Sequence, residues 1–410
     1  MKLLNKVICS ATLFCSLSAS GQWTQSGTGN PSGLTHCFIE SSGVLFSGGV
    51  DAYIYSSTDN GDTWSPSNAG ITAGEEILCF GKNSAGIFAG SGSKIYFSNN
   101  NGNSWAIVKD SAQTFSFAFL TDTVYAAAMK RGVLMSPDNG LTWTPLNSGL
   151  NSDSVYSIVA KGNLLFAGTV THGVFISSNS GLSWSAVNTG LPSQVHIRCL
   201  ETDGTNLYAG TRFLWGPVPP YGMFISSDDG SSWSQVTSGI STSSSVFGIT
   251  HIGNAILAAS GDVYRSLDQG LTWSIFMTGI DTTCPYGSTG FLETSSYVFC
   301  GMEGGCGLSI YRIDKNEVLL SLENQTKKTP VSVFPNPTNG KFLLRSDVHK
   351  GSHSQFTIKN VLGKEVFHSS LIIQNSSFEI DLSNEADGIY YFFFYDNGGV
   401  IASEKLVLVR

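Results

Sequence analysis

Short apolar runs separated by Gly, Asn and Ser dominate the first three quarters of the chain. Val155 to Ala160 is one such run, followed by a turn at Lys161-Gly162-Asn163. Leu164 to Thr169, Val174 to Ser177 and Trp184 to Val187 follow in order. Each run is β-rich, too short for a helix and bounded by turn formers, so the pattern predicts four antiparallel strands. The same pattern returns about every 40 residues, the size of one blade of a β-propeller.

The repeat carries a motif, Ser-x-Asp-x-Gly-x-Thr/Ser-Trp, in six copies from Ser57–Trp64 to Ser266–Trp273. Its acidic or amide position holds Asp59, Asn100, Asp138, Asn179, Asp228 and Asp268. Its last position holds Trp64, Trp105, Trp143, Trp184, Trp233 and Trp273. An Asp or Asn side chain accepts hydrogen bonds from turn amides, and the Gly supplies a positive φ. The motif therefore reads as structural: a stiff hairpin with an indole laid over it. It resembles the Asp-box (BNR) repeat of sialidases, sortilin-type receptors, xyloglucan-degrading glycosidases and a photosystem II assembly factor. That resemblance implies boxes that build the fold at a distance from any active site.

Counting decides how the array ends. A large residue recurs on the second strand seven times: Phe46, Phe88, Tyr125, Phe166, Tyr208, Leu257 and Phe299. The missing seventh tryptophan is Trp23, and the series from Trp23 steps by 41, 41, 38, 41, 49 and 40. The expectation is an all-β fold, a seven-bladed propeller over 21–314 whose outermost last strand comes from the N-terminal side. Such closure removes the open edge of a linear array.

The step of 49 marks an insertion in blade five, Phe213 to Tyr221, rich in aromatics and proline. It falls between the second and third strands, on the face that also carries the blade-to-blade loops. Loops on a rigid scaffold are where recognition concentrates. The candidate ligand-binding residues on that face are Trp215, Tyr221, Arg212, His172 and Arg131. Trp215 is either a recognition element or a cover over blade five. Cys284 and Cys306 should project on this face too and form the expected disulfide. Cys37, Cys79 and Cys199 share one inner-strand slot with Ser116, Ser157, Gly248 and Gly290, a ring of small residues. Cysteines and histidines are spread among separate blades without ligand spacing, so no metal and no cofactor is expected.

Residues 1–20 read as a secretory signal: Lys2 and Lys6, an apolar stretch from Val7 to Leu17, then Ser18-Ala19-Ser20. That stretch is too short to span a bilayer, and no other segment is a candidate. Phe14 before Cys15 argues against lipidation. Charged residues make up only 13% of the chain, and the net charge is −8 with no basic cluster, which argues against a nucleic-acid partner.

Beyond a polar linker at 315–329 the pattern changes. Val331 to Phe342 contains Pro335-Asn336-Pro337 and Gly340-Lys341; Gly388-Ile389-Tyr390 and Lys405 to Arg410 follow. These alternating strands predict a small Ig-like β-sandwich over 330–410. The module resembles the type A C-terminal sorting domain of the Bacteroidota type IX secretion system. The resemblance implies a partner, the type IX machinery, and a secreted or cell-surface destination.

Catalysis has weaker support. The Phe-Arg-Ile-Pro motif and arginine triad of sialidases are absent, and Tyr311-Arg312-Ile313 is a repeat element. A paired-carboxylate hydrolase would draw on Glu75, Glu76, Asp51, Asp262 and Glu303. The favoured reading is a binding propeller for a glycan or protein; the alternative is a secreted glycosidase.

Overall fold

The computed structural model describes residues 22–29, 35–50, 53–212, 221–242, 244–280, 287–303, 310–319, 331–334, 338–346, 353–360, 364–372, 377–396 and 399–409. The chain divides into two compact units, Gly21–Leu320 and one that includes 321–410.

The first unit is a seven-bladed β-propeller. Blade one is the meander Thr35–Ser41, Val44–Gly49, Ile54–Ser57 and Ser65–Pro66. Five more four-stranded sheets span 77–110, 114–145, 155–186, 197–235 and 248–275. Blade seven takes three strands from Gly287–Glu293, Tyr297–Glu303 and Ile310–Asp314, and its fourth is Thr24–Gln25. Thr24 pairs with Arg312 and Gln25 with Tyr311, so the N-terminal strand closes the ring. The seven second-strand residues from Phe46 to Phe299 are all buried to within 2% exposure, and they fill the space between sheets.

Two rungs are a short seam, and the tryptophans supply what the strands lack. The Trp23 amide donates to Thr278 O at 2.8 Å, five residues beyond Trp273. The same offset recurs for Trp64 to Thr28, Trp105 to Ala69, Trp184 to Ser148, Trp233 to Thr189 and Trp273 to Ser238, at 2.7–3.1 Å. Most indoles also cross to the preceding blade: Nε1 of Trp23, Trp105, Trp184 and Trp233 donate to Phe276, Ser67, Leu146 and Val187 carbonyls. Trp64 reaches Ser26 Oγ instead, and Trp273 its own Gly270 carbonyl. A glycine follows each accepting carbonyl, from Gly29 to Gly279, with φ between +77° and +94°. A Cβ there would collide with the tryptophan's carbonyl oxygen, so close approach and left-handed backbone both demand glycine.

One interface departs from this rule. Among the described residues no such bond joins Trp143 to blade two, and its indole Nε1 is buried without a partner. Ser111 stands where the other interfaces have glycine. Blade two instead has a five-residue outer strand, Ala106–Asp110, where every other blade has two residues.

The repeated boxes form one hydrogen-bond set on the opposite end of each blade. Ser57 Oγ donates to Asp59 Oδ1 (2.7 Å) and accepts from the Gly61 amide (2.9 Å), while Asp59 Oδ1 also accepts from the Thr63 amide (2.9 Å). Equivalent bonds tie Asn100, Asp138, Asn179, Asp228 and Asp268. The Thr63 bonds, with Ser57, lower the Asp59 carboxyl to about 2. Asp138 and Asp228 are lowered likewise, and in Asp268 the Thr272 bonds outweigh a burial effect of opposite sign.

The expected linker start at Lys315 is corrected. Lys315–Leu319 is a short helix packed on the propeller, with Val318 fully buried. Buried Arg265 donates to the Glu317 and Val318 carbonyls at 3.3 and 3.2 Å, and Glu317 accepts from the Gln22 amide. The helix thus clasps blade six and the closing strand together. Its carbonyls need partners at this end, and Arg265 supplies them.

In the second unit, a three-stranded sheet (Val331–Phe334, Lys341–Ser346, Ser377–Asp381) and a four-stranded one (His353–Asn360, Glu365–Ile372, Gly388–Asp396, Gly399–Leu408) share one apolar core. Phe342 and Ile380 from the first meet Phe356, Phe392 and Leu406 from the second.

Two outcomes follow for the propeller. Gly149→Ala should lower stability by more than about 1 kcal/mol in urea unfolding. Gly162→Ala, also at positive φ (+57°) but with open space around it, should cost less. Equal losses would remove the close-approach argument. Each box carboxyl sits below its unfolded value near 3.9. Its stabilisation is therefore complete above that value and lost as pH falls through the folded one, about 2 for Asp59. Replacing Asp59, Asp138, Asp228 and Asp268 by Asn, as Asn100 and Asn179 already are, should flatten the fall in melting temperature between about pH 4 and pH 2.

Candidate functional site

In an antiparallel meander, the start of the first strand, the turn after the second and the exit from the fourth lie at one end. That end of the propeller carries the described candidates Tyr221, Arg212, His172 and Arg131 and is opposite the boxes. It is also where the innermost strands are irregular. In blade one the pairing steps from Thr35 directly to Cys37, leaving His36 as an extra residue. The same bulge sets out Leu78, Phe115, Tyr156, Arg198 and Thr289, and Phe247 precedes Gly248 at the equivalent place in blade six. A bulge re-aims a side chain that a regular ladder would hold in line. All seven are half-buried, whereas the residue before each, such as Ile77, Thr114 or Ile197, is buried.

Beneath this ring lies a second one of Cys37, Cys79, Ser116, Ser157, Cys199, Gly248 and Gly290, paired with Gly or Ala on the next strand. The two rings line a central cavity of about 280 Å³. The lower ring is occupied in joining blades: Cys79 Sγ reaches Thr114 O at 3.4 Å, Cys199 Sγ reaches Val246 O at 3.6 Å, and Ser116 Oγ donates to Ile158 O at 3.2 Å. Burial raises the thiols of Cys37 and Cys79 far above the usual range, and pushes Cys199 up to about 12.

The upper ring has a built sector. Phe115 and Tyr156 stack with centroids 4.1 Å apart, and the Arg198 guanidinium lies over both, 5.9 and 5.3 Å from their centres. Behind Tyr156, edge-on at 4.7 Å, His196 is 3% exposed. Burial, then the charges of Arg198 and Arg212, lower its imidazole to about 3, so it is neutral at ordinary pH. On the far side His36 Nε2 meets Glu76 Oε1 at 2.7 Å.

The residues predicted from sequence are scattered on this face rather than gathered. His172 and Arg131 are exposed; His172 lines a separate groove of about 700 Å³ with Leu191, Pro192 and Gln194, while Arg131 Nε donates to Ser111 O. Arg212 is half-buried, its amide bonded to His196 O. Tyr221 is 7% exposed with its carbonyl held by Gln235, a supporting position below the surface. Trp215, Cys284, Cys306 and Asp51 lie outside the described residues, as does the side chain of Glu303.

Burial opposes ionisation of Glu75, but bonds from Lys94 (2.6 Å), Ser93 and Ser91 leave its carboxyl below the usual value. That is the state of a structural anion, not of a proton donor. Asp262 opens a strand, and its carbonyl accepts from Ser288 Oγ. No group of three or more His, Cys, Asp or Glu that could hold a metal occurs among the described residues.

The upper ring was missed in the sequence although its signal was present. It sits one position before the small-residue slot, where each blade has a different and mostly large side chain.

Residues 332–409 match the family described as the secretion system C-terminal sorting domain. The chain carries a type IX sorting tail. The protein is accordingly secreted or displayed at the outer surface. No described helix is long and apolar enough to cross a membrane. No curated protein matches the sequence. Among solved structures, YCF48 from Cyanidioschyzon merolae is similar at 12% identity and a TM-score of 0.54, covering 72% of this chain and 99% of that one. The extracellular domain of the hybrid two component system BT4673 from B. thetaiotaomicron is similar at 14% and 0.58, covering 95% and 47%. The GH74 xyloglucanase from Xanthomonas campestris is similar at 12% and 0.52, covering 80% and 59%. The chain thus spans about half of the BT4673 domain. Likeness at these identities is likeness of fold.

The thiol geometry gives a direct expectation. The buried Cys79 and Cys300 should stay unmodified by an aromatic disulfide reagent at pH 8 in the folded protein and react on unfolding. Rapid labelling of the native state, read by mass spectrometry, would contradict the burial described.

Proposed function

We propose that this protein is an exported β-propeller that binds a glycan or a protein at the mouth of its central cavity. The observation that carries the reading is a contrast between positions. All seven blades agree at the tryptophan, and six at the box and at the glycine after the tryptophan, where the repeat builds the ring. At the bulge they hold His36, Leu78, Phe115, Tyr156, Arg198, Phe247 and Thr289, seven positions with six residue types. A repeat needs uniformity for packing; diversity at one exposed position is what a binding surface needs. A YCF48 structure is described as bound to the D1 peptide, and GH74 is a xyloglucanase; both support a ligand-binding use of this fold by analogy.

Further parts of the reading rest on sequence. The repeat is of the Asp-box type, 1–20 is a signal, 330–410 is the sorting domain, and Cys284 pairs with Cys306. The alternative, a secreted glycosidase, needs a carboxyl poised to give up a proton. Glu75 is held as a stable anion, and Glu76 is bonded to His36.

A glycan array and a panel of chromogenic glycosides, run on the purified protein, test the choice. Binding without turnover is expected, and Leu78→Ala with Phe247→Ala should weaken it at least tenfold. Leu182→Ala, exposed on the box face, should leave it unchanged. Turnover lost on changing one carboxylate of the mouth face would favour the glycosidase.

A further inference from the structure

We infer that the cavity mouth recognises the carboxylate of an acidic sugar, a uronate at the end or within a glycan, through Arg198. The inference rests on the binding reading above and names the ligand class for the same site. Among the described residues lining the cavity, Arg198 is the only Lys or Arg and none is Asp or Glu, although Glu76 meets the lining residue His36 at 2.7 Å. Its position is set by the bulge in Ile197–Thr202 and by the stacked slab of Phe115 and Tyr156. Cation–π contact uses the flat face of a guanidinium, whereas a carboxylate is recognised along its edge by paired N–H donors. The two are compatible, and the stacked rings restrict where the guanidinium can sit, its central carbon 5.9 and 5.3 Å from their centres. Pre-orientation of that kind lowers the entropic cost of binding.

The surroundings suit a sugar ring. The cavity, at about 280 Å³, is just below the ~300–1,000 Å³ of sites for drug-sized ligands and admits one ring-sized group. Hydroxyls of Tyr156 and Thr289 and the His36 imidazole stand around the same mouth. The C–H face of a pyranose is electropositive and packs on an aromatic face, which is electron-rich. A peptide C-terminus would need a separate apolar pocket for its side chain. The layer directly beneath Arg198 is instead small, with thiols and hydroxyls bonded between blades, although Phe38, Phe80, Phe117 and Phe291 also line the cavity. With a net charge of −8, the whole molecule repels anions at long range, so this recognition is local and insensitive to steering.

The test uses the whole chain and trigalacturonate, measured by titration calorimetry beside its methyl ester and a peptide with a free C-terminus. Trigalacturonate should bind at least tenfold tighter than the ester. Arg198→Met should lose at least tenfold, and Arg198→Lys should recover part of it, with melting temperature unchanged in both. Independently of any variant, trigalacturonate should protect Arg198 of the native protein from phenylglyoxal, read by mass spectrometry. If ester and acid bind alike and Arg198 stays reactive, the carboxylate assignment is overturned while the binding mouth stands. Binding of the peptide but not the sugar overturns the ligand class. If no probe binds, and the mouth variants leave the glycan-array profile unchanged, the binding reading itself falls.

Discussion

Everything in the propeller depends on how one sheet is fastened to the next, and the fastening is a tryptophan. Its amide reaches a carbonyl five residues beyond the previous tryptophan, and its indole in most blades crosses to the same outer strand. A single amide–carbonyl bond contributes only about 0.5–1.5 kcal/mol net. Burial of the indole is larger, about 3–5 kcal/mol on truncation. The two act together because the glycine beside the accepting carbonyl lets the backbones approach. The closing strand, with two rungs, relies on the same device: Trp23 is held by Thr278 and Phe276 as other tryptophans are held inside the ring.

This arrangement separates the ends of the molecule. At the box end, six near-identical hydrogen-bond sets make rigid hairpins and leave little to vary. At the other end, the first strand of six blades begins with a bulge and so frees one side chain from the ladder. Those side chains lie apart from the tryptophan fastenings that keep the ring closed. Arg198 shows the consequence: from blade five it is partly desolvated against Tyr156 of blade four and Phe115 of blade three.

The sevenfold period, the closure by Trp23 and the blade spacing were legible because each involves a tryptophan or large residue recurring at nearly constant distance. The glycine six residues after six of the seven tryptophans was nearly as regular but had no meaning until a close backbone approach gave it one. The bulged ring was hidden for a different reason. Its residues share no chemistry, and pattern reading looks for sameness. Lys315–Leu319 read as linker because five polar and apolar residues make no helical stripe; it is a helix because Arg265 binds its end and Val318 finds the core. Tyr221 read as a ligand contact from its place in an aromatic loop, whereas packing puts it underneath.

The interface between blades two and three lacks the fastening that the other six share. Trp143 contributes bulk there without its two cross-links; instead Val108 of the long outer strand packs with Val124 and Leu134, Arg131 donates to Ser111 O, and Asn83 and Ser84 reach Asp122. Blade seven is closed non-covalently by the N-terminal strand, whereas the interface without the tryptophan fastening falls within a continuous stretch of polypeptide.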